Sequence, residues 1–481
     1  MDKYTSPGVY VESVSSIVSV DDSLSTGIGG FVGIAERGPK FPVLISSWQE
    51  YIDTFAPDMD SPFLADSSLA FAVYGFFQNG GKRCYVQRAV GEGTVQSSAT
   101  VSYTPKGGGE AITLFTLKAI EGGAWGNKLS CEFGQIRSTR NYILTIKYNG
   151  NTVETFDVTW GSLASAIATS RFVVLTGSIG DEPESDPMHV FRITSEFTGG
   201  ADSYDHLNLE YWAAGGSIER LNYITILDEV SAKISGEVSK TFFDAIATRK
   251  ETVVVLFSPE KLPPNGADVF GSLPPERIIF YYPFVNVSDP LNSGALREVT
   301  PVGHVMGVLA RIAQERGIWK APAGTECTLK GVVSVAESVN VGELRAKGVN
   351  AIIYKPNYGV VIWGAVTQAL NNDMAYVTDV LLDCYIKDAI DTVLQPAVFE
   401  PNNSALWVRV KADIESILDT LWRAGGLAGS EASQAYYVKC DEELNPESVR
   451  DAGELRVEVG YARNRPAEFI IVKVAHSINR S

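Results

Sequence analysis

The sequence predicts an α/β (α+β) chain of several domains, with a β-rich domain inserted into the core and a β-strand arm at each end. Three observations predict this. Short apolar runs such as TVVVLFS at 252–258 alternate with helical stretches such as FFDAIATRK at 242–250, the pattern of strands buried on both faces of an α/β sheet. From about Gly91 the texture changes to short strand-like pieces, AITLFTLKAI, LSCEFGQI, YILTIKYNG and VFRITSEFT, separated by Gly, Asn and Asp, until Gly199-Gly200. Both ends carry β-branched segments where chain termini ordinarily fray.

At the N-terminal end, GVYVESVSSIVSV (8–20) begins a rough alternation at Val9 and Val11, with Tyr10 and Val14 in the same run. A strand this near the terminus pairs either within its own domain or with another chain. STGIGGFVGIAERGPK (25–40) then poses the choice between a phosphate cradle and a structural use of glycine. Gly27 and Gly29 match the spacing of a dinucleotide fingerprint, but Val32 occupies the third glycine position, and Arg37-Gly38-Pro39 is a turn instead of a helix start. These glycines are expected to shape the passage from the arm into a core strand.

Ser61 and Pro62 predict the start of a helix whose apolar face is Leu64, Leu69, Ala72, Val73 and Phe76, and Asn79-Gly80-Gly81 stops it. The same glycines resemble a P-loop. Gly75 to Lys82 is one position too long, however, and Arg83 replaces the Ser or Thr that would hold magnesium. RCYVQRAV follows as a strand, so the glycines read as a helix C-cap. Beyond the insert, Thr300-Pro301 opens a helix with Val302, Val305, Met306, Leu309, Ile312 and Ala313 on one face, stopped by Gly317. His304 beside that stripe is expected to be a packed residue and not a ligand. Helices are predicted from about Gln368 to Leu394 and from Leu406 to Ala424. Within the last eighty or so residues, from Ala435 on, the chain turns to strands: AYYVKCDEE, ELRVEVGYA with Leu455, Val457 and Val459 alternating, and AEFIIVKVAHS, apolar on both faces from Phe469 through Ile470, Ile471 and Val472 to Val474. Such a strand needs neighbours, and pairing with another subunit supplies them.

The 481 residues, 45% hydrophobic, suffice for two to four cores, and the formal charge of −17 argues against nucleic acid as a partner. No apolar run reaches about eighteen residues, so no membrane insertion is expected. MDKYTSPGVYVESV lacks a basic segment followed by an apolar one, so maturation in the cytoplasm is expected. The five cysteines, Cys84, Cys131, Cys327, Cys384 and Cys440, are widely spaced and read as reduced core residues. None of His189, His206, His304 and His476 has a neighbour at metal-ligand spacing, so neither a metal nor any other cofactor is expected. An enzyme on an α/β core is the alternative, with Asp228, Glu229, Glu260 and Asp289 in loops after strands, but no nucleophile elbow or metal cluster accompanies them.

Several separated stretches, taken in order, resemble the contractile tail sheath proteins of myophages, R-type bacteriocins and contractile injection systems. They are SPGVYVESV, GGFVGIAERGP and FFQNGGKRCYVQR near the start, GAWGNKLS and FTGGADSY at the edges of the insert, and RGIWKAPAG and GVVIWGAVT later. FEPNNSALW, LDTLWRAGGLAGS, AYYVKCDEELN and GELRVEVGYARNRPAEF complete the set. Val366 departs from the family, many members of which carry Arg after the W-G-A triplet. The resemblance implies a tail-sheath core in two parts (26–95 and 200–355) around the insert (96–199), then a C-terminal sheath domain (356–464), flanked by linking arms at 1–25 and 465–481. It implies a homo-oligomer of stacked hexameric rings around an inner tail tube, with baseplate and tail-terminator proteins as further partners, contracting to drive the tube through an envelope without nucleotide. It implies too that the arms are exchanged into a sheet of another subunit's C-terminal domain. The resemblance also suggests that this domain lines the lumen, which makes Arg409, Lys411 and Arg423 candidates to face the tube. Another component of the same machine is the nearer alternative, although tube proteins are generally smaller and β-rich.

Overall fold

The computed structural model describes residues 26–56, 62–105, 110–136, 141–183, 191–216, 218–227, 230, 236–257, 270–370 and 372–468. The candidate arm residues Val9, Tyr10, Val11, Val14 and Phe469 to Val474 lie outside the described residues, as do Asp228, Glu229, Glu260, His189 and His476.

The chain runs β1 (Ile28–Gly33), β2 (Val43–Ile45), α1 (Trp48–Phe55), α2 (Leu69–Gln78) and β3 (Arg83–Arg88). The insert follows: β4 (Ser98–Tyr103), β5 (Ile112–Ala119), β6 (Leu129–Gln135), β7 (Asn141–Tyr148), β8 (Asn151–Thr159), β9 (Val173–Thr176) and β10 (Arg192–Glu196). The core resumes with β11 (Tyr223–Ile226), α3 (Gly236–Ala247), β12 (Val253–Phe257), β13 (Ile278–Tyr282), β14 (Val285–Ser288), β15 (Leu296–Val299) and α4 (Val302–Arg316). After β16 (Val332–Val335), α5 (Val341–Ala346), β17 (Val349–Lys355) and β18 (Gly359–Trp363) come α6 (Val377–Leu394), α7 (Ser404–Arg423), β19 (Tyr436–Lys439) and β20 (Glu458–Tyr461).

The central sheet has the order β18-β17-β13-β12-β11-β1-β3-β2, parallel from β17 to β3, with antiparallel strands at both edges. Alternate residues of each strand enter different cores. Phe31, Tyr223, Val253 and Ile279 pack with α2 and α4 on one face, while Val32, Ile224, Val254 and Ile278 pack with Trp212 and α3 on the other. That double burial is why these strands read as continuous apolar runs. The glycines of β1 serve the same packing. A Cβ on Gly30 would lie 2.8 Å from Trp212, and one on Gly33 2.8 Å from both Leu69 and Leu227. They lie inside the strand and let both layers close on it, a use different from shaping the passage out of the arm.

Two expected helix starts are corrected. Residues 62–68 are not helical, and α2 begins at Leu69, where the Ser67 hydroxyl donates to Ile34 O (2.6 Å) and accepts from the Leu69 amide (3.1 Å). Ser67 and Ser68 thus compete successfully with Ser61-Pro62 as the stop before the apolar run. The helix expected from Gln368 begins at Val377, because 366–376 folds back on itself: Thr367 N donates to Ala375 O (2.9 Å), the Thr367 hydroxyl donates to Met374 O (2.8 Å), and Val366 bridges Tyr376. Val366 is buried, and its amide donates to Asn350 Oδ1 at 2.7 Å. The end of α2 is as expected, with Gly80 at φ +107° after Asn79.

His304, 2% exposed on α4, packs against Gly75 of α2, and burial lowers its pKa to about 4. The unfolded imidazole titrates near 6.5, so between pH 6.5 and 4 the unfolded chain takes up a proton that the folded one refuses. Stability from this group is fully present above that window and is lost on acidification through it, about 3 kcal/mol in all. His304→Gln is expected to flatten the fall of the melting temperature between those pH values, measured by circular dichroism; an undiminished fall would assign the acid sensitivity to other groups.

The insert builds two antiparallel sheets, β4-β5-β9 and β10-β6-β7-β8, around one core that includes Phe115, Trp125, Phe133 and Tyr142. Its entry and exit run side by side, Val95 bridging Ala201 and Ser98 bridging Thr198. Two buried arginines tie it to the core. Arg88 at the end of β3 donates to Ala35 O (3.0 Å), Gly122 O (2.7 Å) and Asp202 Oδ1 (2.9 Å). Arg37 donates to Ala56 O (2.8 Å) and Arg171 O (3.0 Å), with its guanidinium 4.6 Å from the Phe172 ring centre. All five cysteines are buried and unbridged, and burial pushes the Cys131 and Cys384 thiols up to about 12.

Candidate functional site

The C-terminal part is built on α6 and α7, which meet through Leu382, Ile386, Ile390, Val410, Ile414 and Leu418. Asn403 caps α7, its side chain accepting from the amides of Ala405 and Leu406 at 3.0 and 3.1 Å. On α7 lies a ribbon of two antiparallel strands, β19 and β20, pairing Tyr436 with Tyr461, Tyr437 with Gly460, Val438 with Val459 and Lys439 with Glu458. Val438 faces the core, whereas Tyr437 lies outside across Gly460, where a Cβ would be 1.7 Å from its ring, and its hydroxyl donates to Glu458 (2.6 Å). The buried Asn445 fixes the connection between the strands, donating to Arg456 O (2.9 Å) and accepting from Arg456 N (2.6 Å). The strand expected over ELRVEVGYA is accordingly confined to Glu458–Tyr461.

Among the described residues the ribbon is a separate two-stranded sheet, extended only by the bridge of Leu427 to Arg463. A two-stranded ribbon is marginal alone, and an edge strand is a template on which a further strand can pair. The chain leaving it is clamped. Arg463 donates to Asp373 O (2.8 Å) and faces the buried Asp379 carboxylate at 3.8 Å; Arg465 pairs with Asp373 (3.2 Å), and Glu468 accepts from Arg345 Nε (3.0 Å) on α5. Burial raises the Asp379 pKa although Arg463 opposes it, while Glu468 raises that of Arg345. At the other end, Ile28 N donates to Asn222 Oδ1 (2.9 Å), and Thr26 lies in a crevice beside Leu381, Cys384 and Asp388 of α6. Both exits are thus anchored to the body, a feature that sequence reading missed because the partners of Arg463 and Glu468 lie far back in the chain.

Arg409 and Arg423 are exposed and Lys411 is half-buried, and each has a carboxylate beside it: Glu400 at 4.0 Å from Arg409, Glu415 at 3.7 Å from Lys411 and Asp419 at 2.6 Å from Arg423. At about 100° per residue, Arg409 and Arg423 fall on one side of α7 while Lys411 falls on the far side of the buried stripe. Three cations on one face is therefore not the arrangement. Asp289 is engaged in its own turn, accepting from Leu291 N (2.9 Å) and Asn292 Nδ2 (2.8 Å), which hold its pKa low. Among the described residues no group of three or more His, Cys, Asp or Glu is placed to hold a metal, and no helix is long and apolar enough to cross a membrane.

Residues 370–476 match the phage tail sheath C-terminal domain. The curated proteins contain no match. Among solved structures, the chain is similar to one in the six-fold symmetrised baseplate of the anti-feeding prophage, at 22% identity and a TM-score of 0.58 over 99% of this chain and 100% of that one. A chain of the contracted helical sheath of the anti-feeding prophage matches at 23% identity and a TM-score of 0.58, over 98% and 100% respectively. The sheath tail protein of Desulfitobacterium hafniense matches at 15% identity and 0.59, over 90% and 94%. The chain thus shares its fold with these chains along nearly its whole length, and its residues 370–476, which carry α6, α7 and the β19–β20 ribbon, are similar to the phage tail sheath C-terminal domain.

Proposed function

We propose that the protein is the structural subunit of a contractile sheath, polymerising as stacked hexameric rings around an inner tube and contracting to drive that tube through an envelope. The observation that carries this reading is the two-stranded ribbon in the segment that matches a tail sheath C-terminal domain, a sheet of only two strands among the described residues, in a chain whose ends are rich in strand formers. Val9, Tyr10, Val11 and Val14 of one copy and Phe469, Ile470, Ile471, Val472 and Val474 of another supply those partners by β-augmentation. An arm joined by backbone hydrogen bonds keeps the mesh connected while the bodies rotate and bury new surface. A kinetically trapped extended state stores the difference, so no nucleotide enters the cycle. The particle is a phage tail or an injection apparatus, with the baseplate at one end and the tail terminator at the other.

Purified protein is expected to form rings or tubes in negative-stain micrographs, with no uptake of ATP by calorimetry. Stoichiometric ATP binding without assemblies would overturn the reading. Arg409 and Arg423, which share a side of α7, remain the candidates to meet the tube by charge; in the same assay with tube added, their joint reversal should slow assembly and weaken its salt dependence. Unchanged kinetics would remove them from that role.

A further inference from the structure

The loop between α6 and α7 holds a phenylalanine in two unfavourable conditions at once. Phe399 is 87% exposed, and its φ is +69°, a backbone conformation that a bulky side chain rarely adopts. Exposure alone is ordinary for a surface residue. Strain combined with exposure is not, because nothing among the described residues recovers the cost of either.

The loop around it is firmly built. Val398 N donates to Gln395 O (3.3 Å) and Glu400 N to Ala397 O (3.2 Å), while Trp407 Nε1 donates to Asn402 Oδ1 (2.7 Å). Asn402 Nδ2 in turn donates to Glu454 O (2.7 Å), on the segment that leads into β20. The aromatic ring is therefore presented from a preorganised frame attached to the root of the ribbon, which lowers the ordering cost of a contact made through it.

We propose that Phe399 is an anchor that inserts into a second copy of this chain, next to the exchanged strands; this rests on the sheath reading above. Two observations select a second copy as the occupant. The frame is continuous with the ribbon at which that reading places strands from other copies. A chain of formal charge −17 also repels its copies, so its self-contacts rely on apolar burial, and buried aromatic anchors are the residues that concentrate such binding energy.

Two variants test this. Phe399→Gly relieves the backbone, so the free subunit should denature at the same or a higher denaturant concentration. Its critical concentration for polymerisation should nevertheless rise about ten-fold or more, the scale of losing one such anchor. Phe399→Cys places one accessible thiol on a background of five buried ones, and a maleimide should label it at least about ten-fold faster in the free full-length subunit than in polymer of the purified chain. A wild-type chain that never polymerises overturns both the sheath reading and this one. If wild type polymerises but Phe399→Gly does so at the same concentration, or the thiol reacts equally fast in polymer, only the anchor falls. Protection that appears only when inner tube is added also overturns it, in favour of a tube contact.

Discussion

Deleting residues 468–481, or residues 1–19, is expected to leave a folded subunit that cannot polymerise. Among the described residues, every strand of the central sheet and of the insert pairs within residues 28–363, and α6, α7 and the ribbon share a core of their own. The first deletion removes two described contacts of Glu468, its pairing with Arg345, whose side chain is 42% exposed, and the hydrogen bond it accepts from the Tyr376 hydroxyl (3.4 Å), and exposed pairs of the first kind contribute roughly 0–1 kcal/mol. Folding is thus nearly unaffected while each ribbon loses its incoming strands, so the loss of assembly should be all or none. Shortening 21–25 while keeping the strand before it should permit initial rings but hinder contraction, since the arm no longer spans separating neighbours. Circular dichroism and electron microscopy read both outcomes. Truncated chains that unfold, or that assemble and contract normally, would return the strands to their own subunit or to no role.

Gly303→Ala is expected to destabilise the core more than any surface change. α2 and α4 meet where a Cβ on Gly303 would lie 2.0 Å from Ala72 O and 2.4 Å from Ala72 Cα. The obstacle is backbone, which cannot rotate away, so the two helices must separate along a seam that also holds His304 against Gly75. The cost should reach the upper end of the roughly 1–3 kcal/mol typical of overpacking, or exceed it. Gly161→Ala is the control, because a Cβ there meets nothing within 4 Å. A denaturation midpoint for Gly303→Ala equal to that of the control would show that the seam has slack.

The difference between those two glycines explains how much of this architecture can be read in sequence. Strands such as Val253–Phe257 and Ile278–Tyr282 announce themselves because burial on both faces demands unbroken apolar residues. The glycines of β1 do not, since their partners Trp212 and Leu227 lie nearly two hundred residues away and no local pattern records them. Helix ends fail for a related reason: Ser67 and Thr367 take backbone partners that only the folded chain brings near. The alternation of Leu455, Val457 and Val459 reaches the ribbon only at Val459, since β20 begins at Glu458, and that the sheet has two strands among the described residues is a property of the sheet and not of the segment. The separation of Lys411 from Arg409 and Arg423 was available from helical periodicity alone, whereas the left-handed backbone of Phe399 has no signature in FEPNN.

The central claim is that strands leave one subunit and complete the ribbon of another, and hydrogen–deuterium exchange of the full-length chain, free and polymerised, tests it most directly. Amides of 8–14 and 469–474, together with the outer edges of β19 and β20, should exchange rapidly in the free subunit and become protected in polymer. The central sheet should exchange equally slowly in both. Protection of the terminal segments already present in the free subunit, unchanged on assembly, would contradict the exchange.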